Sequence, residues 1–179
     1  GKDPVAFQGL NPRGEAAFGY SVPNLLIDHS MRNPPVPPGF WRGVNVNHNA
    51  IYVECFMDEL AKSAGMDALE FRRKLMADKP KHLGVLNAVA EKIGWSAPAP
   101  QGGYRGLCHH MGFGSYVAGA VEISVLDDGK KIKIHRIVAA TDPGYAVNPA
   151  QIERQVAGSF VYGLSALFFG ECTVKGGRM

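Results

Sequence analysis

From Asn47 to Gly65 the apolar positions follow a helical period. Tyr52, Phe56, Leu60 and Ala64 recur every four residues, with Val53, Met57 and Ala61 beside them. That stripe predicts a core helix, which Gly65 can end as a left-handed cap. Asp67 and Glu70 then have the spacing of a capping box, which predicts a second helix running to about Met76. A third is expected over about His82 to Ile93, with Leu83, Leu86, Val89, Ala90 and Ile93 on one side and Gly94 at its end. After a Pro/Gly/Ala connector, Ser96 to Gly103, the period drops to two. Val117, Gly119, Val121, Ile123 and Val125 alternate with small or polar neighbours, Asp127-Asp128-Gly129 turns the chain, and Ile132, Ile134, Arg136 and Val138 follow. This predicts a β-hairpin, with Tyr104 to His110 as a strand before it. Asn148 and Pro149 open a last helix to about Phe169, because Asn caps well and proline at the first helical position sacrifices no hydrogen bond. Glu171 to Lys175 reads as a further strand. Helices and strands segregate, so the expected class is α+β: two layers, short helices packed on a mixed or antiparallel sheet.

Residues 1–40 are different in kind. They hold seven of the twelve prolines and only one short apolar run, Val22 to Ile27, and are expected to form an irregular lead-in. The run Pro34-Pro35-Val36-Pro37-Pro38-Gly39, ahead of Phe40-Trp41, reads as a rigid strap over a core more readily than as a polyproline ligand. The 179 residues are 46% apolar and 20% charged, which supports a packed core. A net charge of +3, with basic residues scattered, gives no reason to expect a nucleic-acid partner. The longest apolar stretch, Val156 to Gly170, is interrupted by Gly158, Ser159, Gly163 and Ser165 and falls short of the roughly 20 residues of a membrane span. No signal peptide is visible in the first residues, and both ends read as arbitrary, so an excised piece is expected. Cys55, Cys108 and Cys172 are far apart and odd in number; free, mostly buried thiols are expected.

Familiar catalytic patterns are few. Gly112-Phe113-Gly114-Ser115 lies in a β region without the helix that a phosphate-binding fingerprint requires. His109 and His110 point to opposite faces of a strand and cannot share a metal; structural or surface roles are expected. His48, among Asn45, Asn47 and Asn49, fits a polar pocket or an ordinary helix start. A Ser/His/acid arrangement has no nucleophile elbow behind it. Gln155 is more informative. It shares a helix face with Gly158, Ser159 and Tyr162, opposite Ile152, Val156, Phe160, Leu164 and Leu167. A helix buried all round with one small, polar strip receives either another backbone or a ligand, and a neutral amide suits an uncharged oxo or pterin edge.

Several ordered segments carry a resemblance. Phe40-Trp41-Arg42-Gly43-Val44 precedes a helix containing Glu54, Asp58, Glu59, Leu60 and Ala61; Gly65-Met66-Asp67 and Glu70-Phe71-Arg72 follow. Further on come Gly112 to Ala118, Val121-Glu122-Ile123, Asp142 and Gly144, Val147-Asn148-Pro149, Gln155 to Gly158, and Gly163 to Ala166. Over about residues 20–175 this order resembles the xanthine oxidase family of molybdenum hydroxylases, and within it the isoquinoline 1-oxidoreductase beta-subunit type.

The resemblance implies that residues 41–179 form part of a molybdopterin-binding domain. Arg42 and Gly43 would then lie in the segment presenting backbone donors to the metal's oxo ligands, Gly114 and Ser115 would contact pterin or phosphate, and Gln155 would reach the metal centre. Glycine permits close approach to an anionic cofactor, and hydroxyl or amide groups bond to it without bringing a charge. No side chain is expected to ligate the metal. The implied cofactor is molybdopterin, with the cytosine dinucleotide form as one candidate, and it is not expected on this chain alone. The implied reaction is hydroxylation of an N-heterocycle or oxidation of an aldehyde, with water as oxygen source. The implied partners are an iron–sulfur small subunit, the remainder of the large subunit and a small-molecule substrate. The family's catalytic glutamate, in a Gly-Glu-Pro segment, is not in this sequence, nor is the upstream Gly-Gln-Gly; Pro143 stands where relatives carry a small residue or Cys. The chain alone is therefore expected to be inactive, and Glu54, Glu122 and Glu171 do not fit the missing role. A non-catalytic scaffold that docks other domains is the alternative, self-association is expected of exposed apolar faces, and the compartment stays open between bacterial envelope, periplasm and cytoplasm.

Overall fold

A computed structural model describes residues 9–10 and 18–179. The chain forms two units, Gly1–Gly144 and Tyr145–Met179. In the first unit, helices α1 (Asn45–Ser63), α2 (Ala68–Leu75) and α3 (Pro80–Ile93) precede strands β1 (Gly103–Gly112), β2 (Ser115–Leu126) and β3 (Lys131–Asp142). The strands form an antiparallel sheet in the order β1-β2-β3. α3 lies across all three strands, α1 packs on β1, and α2 packs on α1. The α+β expectation holds, and the sheet is purely antiparallel. The second unit holds helix α4 (Pro149–Phe169).

Local chemistry sets most boundaries. The Asp67 carboxylate accepts the amide hydrogens of Leu69 and Glu70 at 2.9 and 3.1 Å and so starts α2. The reciprocal half of the expected capping box does not form, because Glu70 turns to Arg73 at 2.5 Å. α3 starts earlier than expected, with Pro80 in its first turn, and ends at Gly94 with φ of 75°. α1 gives way to Gly65 at φ 63°, where glycine meets little steric resistance. Asn148 caps α4 by accepting from Gln151 N–H.

The core lies between α3 and one face of the sheet. Met76, Val85, Leu86, Val89, Ala90 and Ile93 meet Leu107, Ala118 and Ala120. Cross-strand rows on that face are Leu107–Ala120–Val138, His109–Ala118–Ala140 and Arg105–Glu122–Arg136. Small residues on the central strand let the helix approach closely, whereas the alternating Val117, Val121, Ile123 and Val125 lie on the other face. The charged row fixes the end of α3. Arg105 donates to Gly94 O and Ala97 O at 2.8 and 2.7 Å and pairs with Glu122 at 2.9 Å, while Arg136 donates to Ile93 O. These cations meet the helix's carbonyl end, where its dipole is negative.

Four expectations are corrected. On α1 the buried residues are Glu54, Met57 and Ala61, while Tyr52 and Phe56 are 68% and 54% exposed. The helix is rotated because Glu54 is drawn inward to Arg72, which α2 buries completely. α4 is not buried all round: Ile152, Val156, Phe160 and Leu164 are half-buried and no residue is buried. Glu171 to Lys175 forms no strand; Gly176 and Gly177, both at positive φ, fold Lys175 back on Arg178 in a single bridge. All three cysteines are exposed, Cys108 because it lies on the sheet face away from α3.

The Glu54–Arg72 pair is the strongest constraint in the unit. Arg72 Nε meets Glu54 Oε2 at 3.1 Å, Nη2 donates to Glu54 O at 2.9 Å, and Nη1 reaches Asp58 at 2.6 Å and Ala68 O at 3.2 Å. Arg72→Ala leaves Glu54 buried beside a void and is expected to lower the unfolding free energy by about 3–5 kcal/mol. Urea denaturation of variant and parent, read by circular dichroism, checks it; a loss under about 1 kcal/mol would contradict this role.

Candidate functional site

Two strained segments meet at one end of the first unit. The first is the entry to α1. Arg42 has φ of 46° and Val44 has φ 53°, ψ −131°, a conformation that a β-branched residue strongly disfavours. A Cβ at Gly43 would lie 2.5 Å from Asn47 Oδ1. Asn47 Nδ2 also donates to Trp41 O at 3.2 Å, closing the turn. No side chain caps α1, and its first turn carries no acidic residue. No carboxylate of that first turn counters the positive end of the helix dipole.

The second segment is the turn between β1 and β2. Its two residues, Phe113 at φ 53° and Gly114 at φ 78°, are both left-handed, as a tight type I′ hairpin demands. Gly114 takes this geometry readily; Phe113 does so under strain and points 63% of its surface to solvent. Gly112 joins the segments, since a Cβ there would lie 3.0 Å from Val46 Cγ1 in the first turn of α1. Of the residues expected to form a site, Arg42, Gly43, Gly114 and Ser115 thus lie on two segments tied through Val46 and Gly112. Gln155 is exposed on α4, in the other unit.

Behind these segments is a buried polar cluster that the motif reading did not anticipate. Tyr20 Oη donates to Glu54 Oε1 at 2.6 Å. His109 N–H donates to Glu54 Oε2 at 3.1 Å, and His109 Nδ1 lies 3.2 Å from Tyr20 Oη. Glu54 thereby fixes α1 to β1 three residues before Gly112. Burial alone would raise the Glu54 carboxyl, but His109, the Arg72 guanidinium and the Tyr20 hydroxyl outweigh it and hold it down at about 2. Burial and the Glu54 charge push the Tyr20 phenol up. Arg72 is raised because its carboxylate partners outweigh its desolvation. His82 and His110 are both lowered to about 4, chiefly by burial and secondarily by His109. A sequence signal for the cluster exists: Glu54 shares the spacing of Met57 and Ala61, and Arg72 that of Leu69 and Met76. A charge of opposite sign inside each apolar stripe marks a buried pair.

Other candidates are not assembled. His109 is buried on the helix-facing side of β1, with His110 on the opposite side, as strand alternation requires. Ser124 Oγ meets His135 Nε2 at 2.5 Å near the hairpin end, but no described carboxylate orients that imidazole. Among the described residues no group of three or more His, Cys, Asp and Glu side chains could hold a metal ion. No described helix is long and apolar enough to cross a membrane.

This end of the unit carries two glycine-containing turns and the Ser115 hydroxyl beside the start of α1. The chain belongs to the molybdopterin cofactor-binding domain family, whose model matches residues 45–179. It is similar to a nicotinate dehydrogenase component from Pseudomonas putida, 26% identical over 177 residues, covering 87% of this chain and 15% of that protein. It is also similar to the beta subunit of isoquinoline 1-oxidoreductase from Brevundimonas diminuta, 26% identical over 161 residues, covering 88% of this chain and 21% of that protein. A membrane-bound aldehyde dehydrogenase (pyrroloquinoline-quinone) from Gluconacetobacter polyoxogenes is 23% identical over 159 residues, covering 78% of this chain and 21% of that protein. The chain therefore spans about a fifth or less of the length of these relatives, and the likeness carried by its motifs agrees with them.

Two outcomes follow from the geometry. Phe113→Asn, which tolerates a left-handed backbone, is expected to raise stability by about 1 kcal/mol, because strain of this kind is worth about 1–3 kcal/mol and little buried surface is lost. Thermal denaturation checks it. The pH dependence has a definite sign. His82 and His110 take up protons more readily unfolded, so stability falls as pH drops from about 6.5 towards about 4. Glu54, depressed to about 2, contributes stability that is complete above about 4.5 and lost on further acidification. Denaturation midpoints between pH 7 and pH 3 are expected to fall monotonically; a maximum near pH 4 would contradict both assignments.

Proposed function

We propose that this chain supplies part of the wall around the molybdopterin in the large subunit of an oxidoreductase that hydroxylates an N-heterocycle or oxidises an aldehyde. The observation that carries this reading is the pairing, through Val46 and Gly112, of two strained, glycine-containing segments at the uncapped start of α1. It is supported by the family match and by the names of the relatives, two of which are subunits of larger enzymes.

In this reading Arg42 and Gly43 hold the α1 entry so that backbone amides face the cofactor's oxygen ligands. Gly114 leaves room for the pterin or its phosphate to approach, and the Ser115 hydroxyl donates to it. Gln155 contributes a neutral amide at the metal centre, able to donate and accept without adding charge. When bound, the cofactor supplies two-electron redox and oxygen-transfer chemistry; these residues supply placement and exclude competing bases. In this reading the proton-abstracting glutamate lies in the remainder of the large subunit, and an iron–sulfur small subunit is the partner. The nucleotide form of the pterin, with cytosine dinucleotide as the candidate, belongs to this proposal too. Exposed Tyr104, Phe113, Val161, Leu167 and Phe169 favour a chain that abuts further protein over a self-contained scaffold.

The test uses the intact parent subunit, expressed in a host that makes the cofactor. Arg42→Ala, Ser115→Ala and Gln155→Ala are each expected to lower bound molybdenum per polypeptide at least threefold, measured by elemental analysis, with unfolding midpoints unchanged. Full metal content in all three variants would sink the assignment.

A further inference from the structure

The residues before Trp41 meet buried imidazoles at two described places, each through a glycine. On the helix side of β1, a Cβ on Gly19 would lie 2.7 Å from His109 Nε2 and 2.9 Å from His82 Nδ1. On the other side, a Cβ on Gly9 would strike His110 Nε2. Each of these three nitrogens is buried and has no hydrogen-bond partner among the described residues. His82 and His109 are 5% and 3% exposed, with ring centroids 5.1 Å apart and edge to face. At His109 the tautomer follows from the bonds. Tyr20 Oη already donates to Glu54, so it can only accept from His109, which puts the hydrogen on Nδ1 and leaves a bare lone pair on Nε2 facing Gly19.

We propose that residues 18–21 form an acid-released strap: proton uptake by His82, buried beneath Gly19, expels this segment from the sheet and α3 while the sheet stays folded. A proton added to His82 Nδ1 puts an N–H against the Gly19 Cα with no acceptor in reach, and buries a charge. The surroundings oppose that charge. From β1 it faces His109, with His110 on the far side of the strand adding to the repulsion, from β2 the Tyr116 ring, whose centroid is 4.8 Å away, and from the strap Tyr20. Lys79 precedes α3 and Lys81 lies over the Tyr116 ring. Of α1, only Glu54 favours the charge, and it is already engaged by Arg72, Tyr20 and His109 N–H. Moving the strap lets water reach the nitrogen. It breaks Ser21 N–H to Leu75 O at 2.7 Å, Ser21 Oγ to Asp78 at 2.5 Å and the Tyr20 hydroxyl contacts, and it uncovers the Tyr20 ring, with Phe18 beside it. No helix or strand lies between Ser21 and Asn45.

Hydrogen exchange on the full chain tests this, with Ser21 N–H reporting the strap and the amides of Ala118 and Ala120 reporting the sheet. Corrected for intrinsic exchange, Ser21 protection is expected to fall about fiftyfold between pH 7 and pH 4.5, the ratio for one proton taken up at about 6.5 when released and about 4 when closed. Protection at Ala118 and Ala120 is expected to exceed that of Ser21 throughout. His82→Phe keeps the ring contacts but cannot titrate, and is expected to reduce the Ser21 change to threefold or less. His82→Gln serves the same purpose should the bulkier ring disturb folding. The proposal is overturned if Ser21 protection does not respond to pH, if it falls together with the sheet amides to the same value, or if both His82 variants keep the full response.

Discussion

The carboxylate of Glu54 has to be buried for α1 to reach β1, and it can be buried only because Arg72 arrives from α2. Neither charge has another complete set of partners. The guanidinium directs its donors to Glu54, Asp58 and the carbonyls of Glu54 and Ala68, and the carboxylate accepts from Arg72, Tyr20 and the His109 amide. A pair like this adds little net stability over a well-packed apolar core, because desolvation offsets the attraction. What it adds is discrimination. A one-residue slip or a rotation of α1 would bury an unmatched charge, which is far more costly than repacking Tyr52 or Phe56 against the sheet. That asymmetry explains why two large apolar side chains of α1 stay outside while an acid goes in.

The same constraint reaches the candidate site. The His109 amide is pinned to Glu54, and Gly112 stands three residues further along the same strand, against Val46 of α1. The start of the helix and the tight turn are therefore held by one rigid pair of elements at two points. Strained backbone at Arg42, Val44 and Phe113 persists only if its surroundings over-determine it, and this double attachment is what does so. A flexible base would let Val44 relax to an extended conformation and carry the α1 amides away with it.

Much of this was legible in the sequence, and the failures have a common cause. Local signals worked: Asp67 starts α2, Gly94 ends α3, Asn148 caps α4, and the strands fall where the period changes to two. That the segments of Arg42 and Gly43 and of Gly114 and Ser115 adjoin is not legible locally, since nothing in either says that Val46 will touch Gly112. The errors lie where two stripes competed. On α1, Tyr52, Phe56, Leu60 and Ala64 outweigh Met57 and Ala61 in hydrophobicity, and only the partner on α2 decides between them. On the sheet, Val121 and Ile123 advertise one face of β2, yet α3 packs on Ala118 and Ala120. Close approach of a helix selects small residues, and hydrophobicity alone cannot express that. The strand expected at Glu171 to Lys175 had suitable residues but no described neighbour to pair with, and a strand is defined by its partner.

These observations bear on why the cluster carries histidines at all. Glu54, Arg72 and Tyr20 satisfy one another, and of the His109 imidazole only Nδ1 joins them, 3.2 Å from Tyr20 Oη and 3.4 Å from Glu54 Oε1. His109 Nε2 and His82 Nδ1 are nitrogens that no described group satisfies, beneath Gly19. An apolar ring would fill the same space without the desolvation of a ring nitrogen. Gly19 adapts to them, since a side chain there would strike both imidazoles, so the contact is specific and is not a by-product of loose packing. The Glu54–Arg72 pair and the His109 amide hold α1, α2 and β1 together beneath a segment whose own tie to them is the Tyr20 hydroxyl.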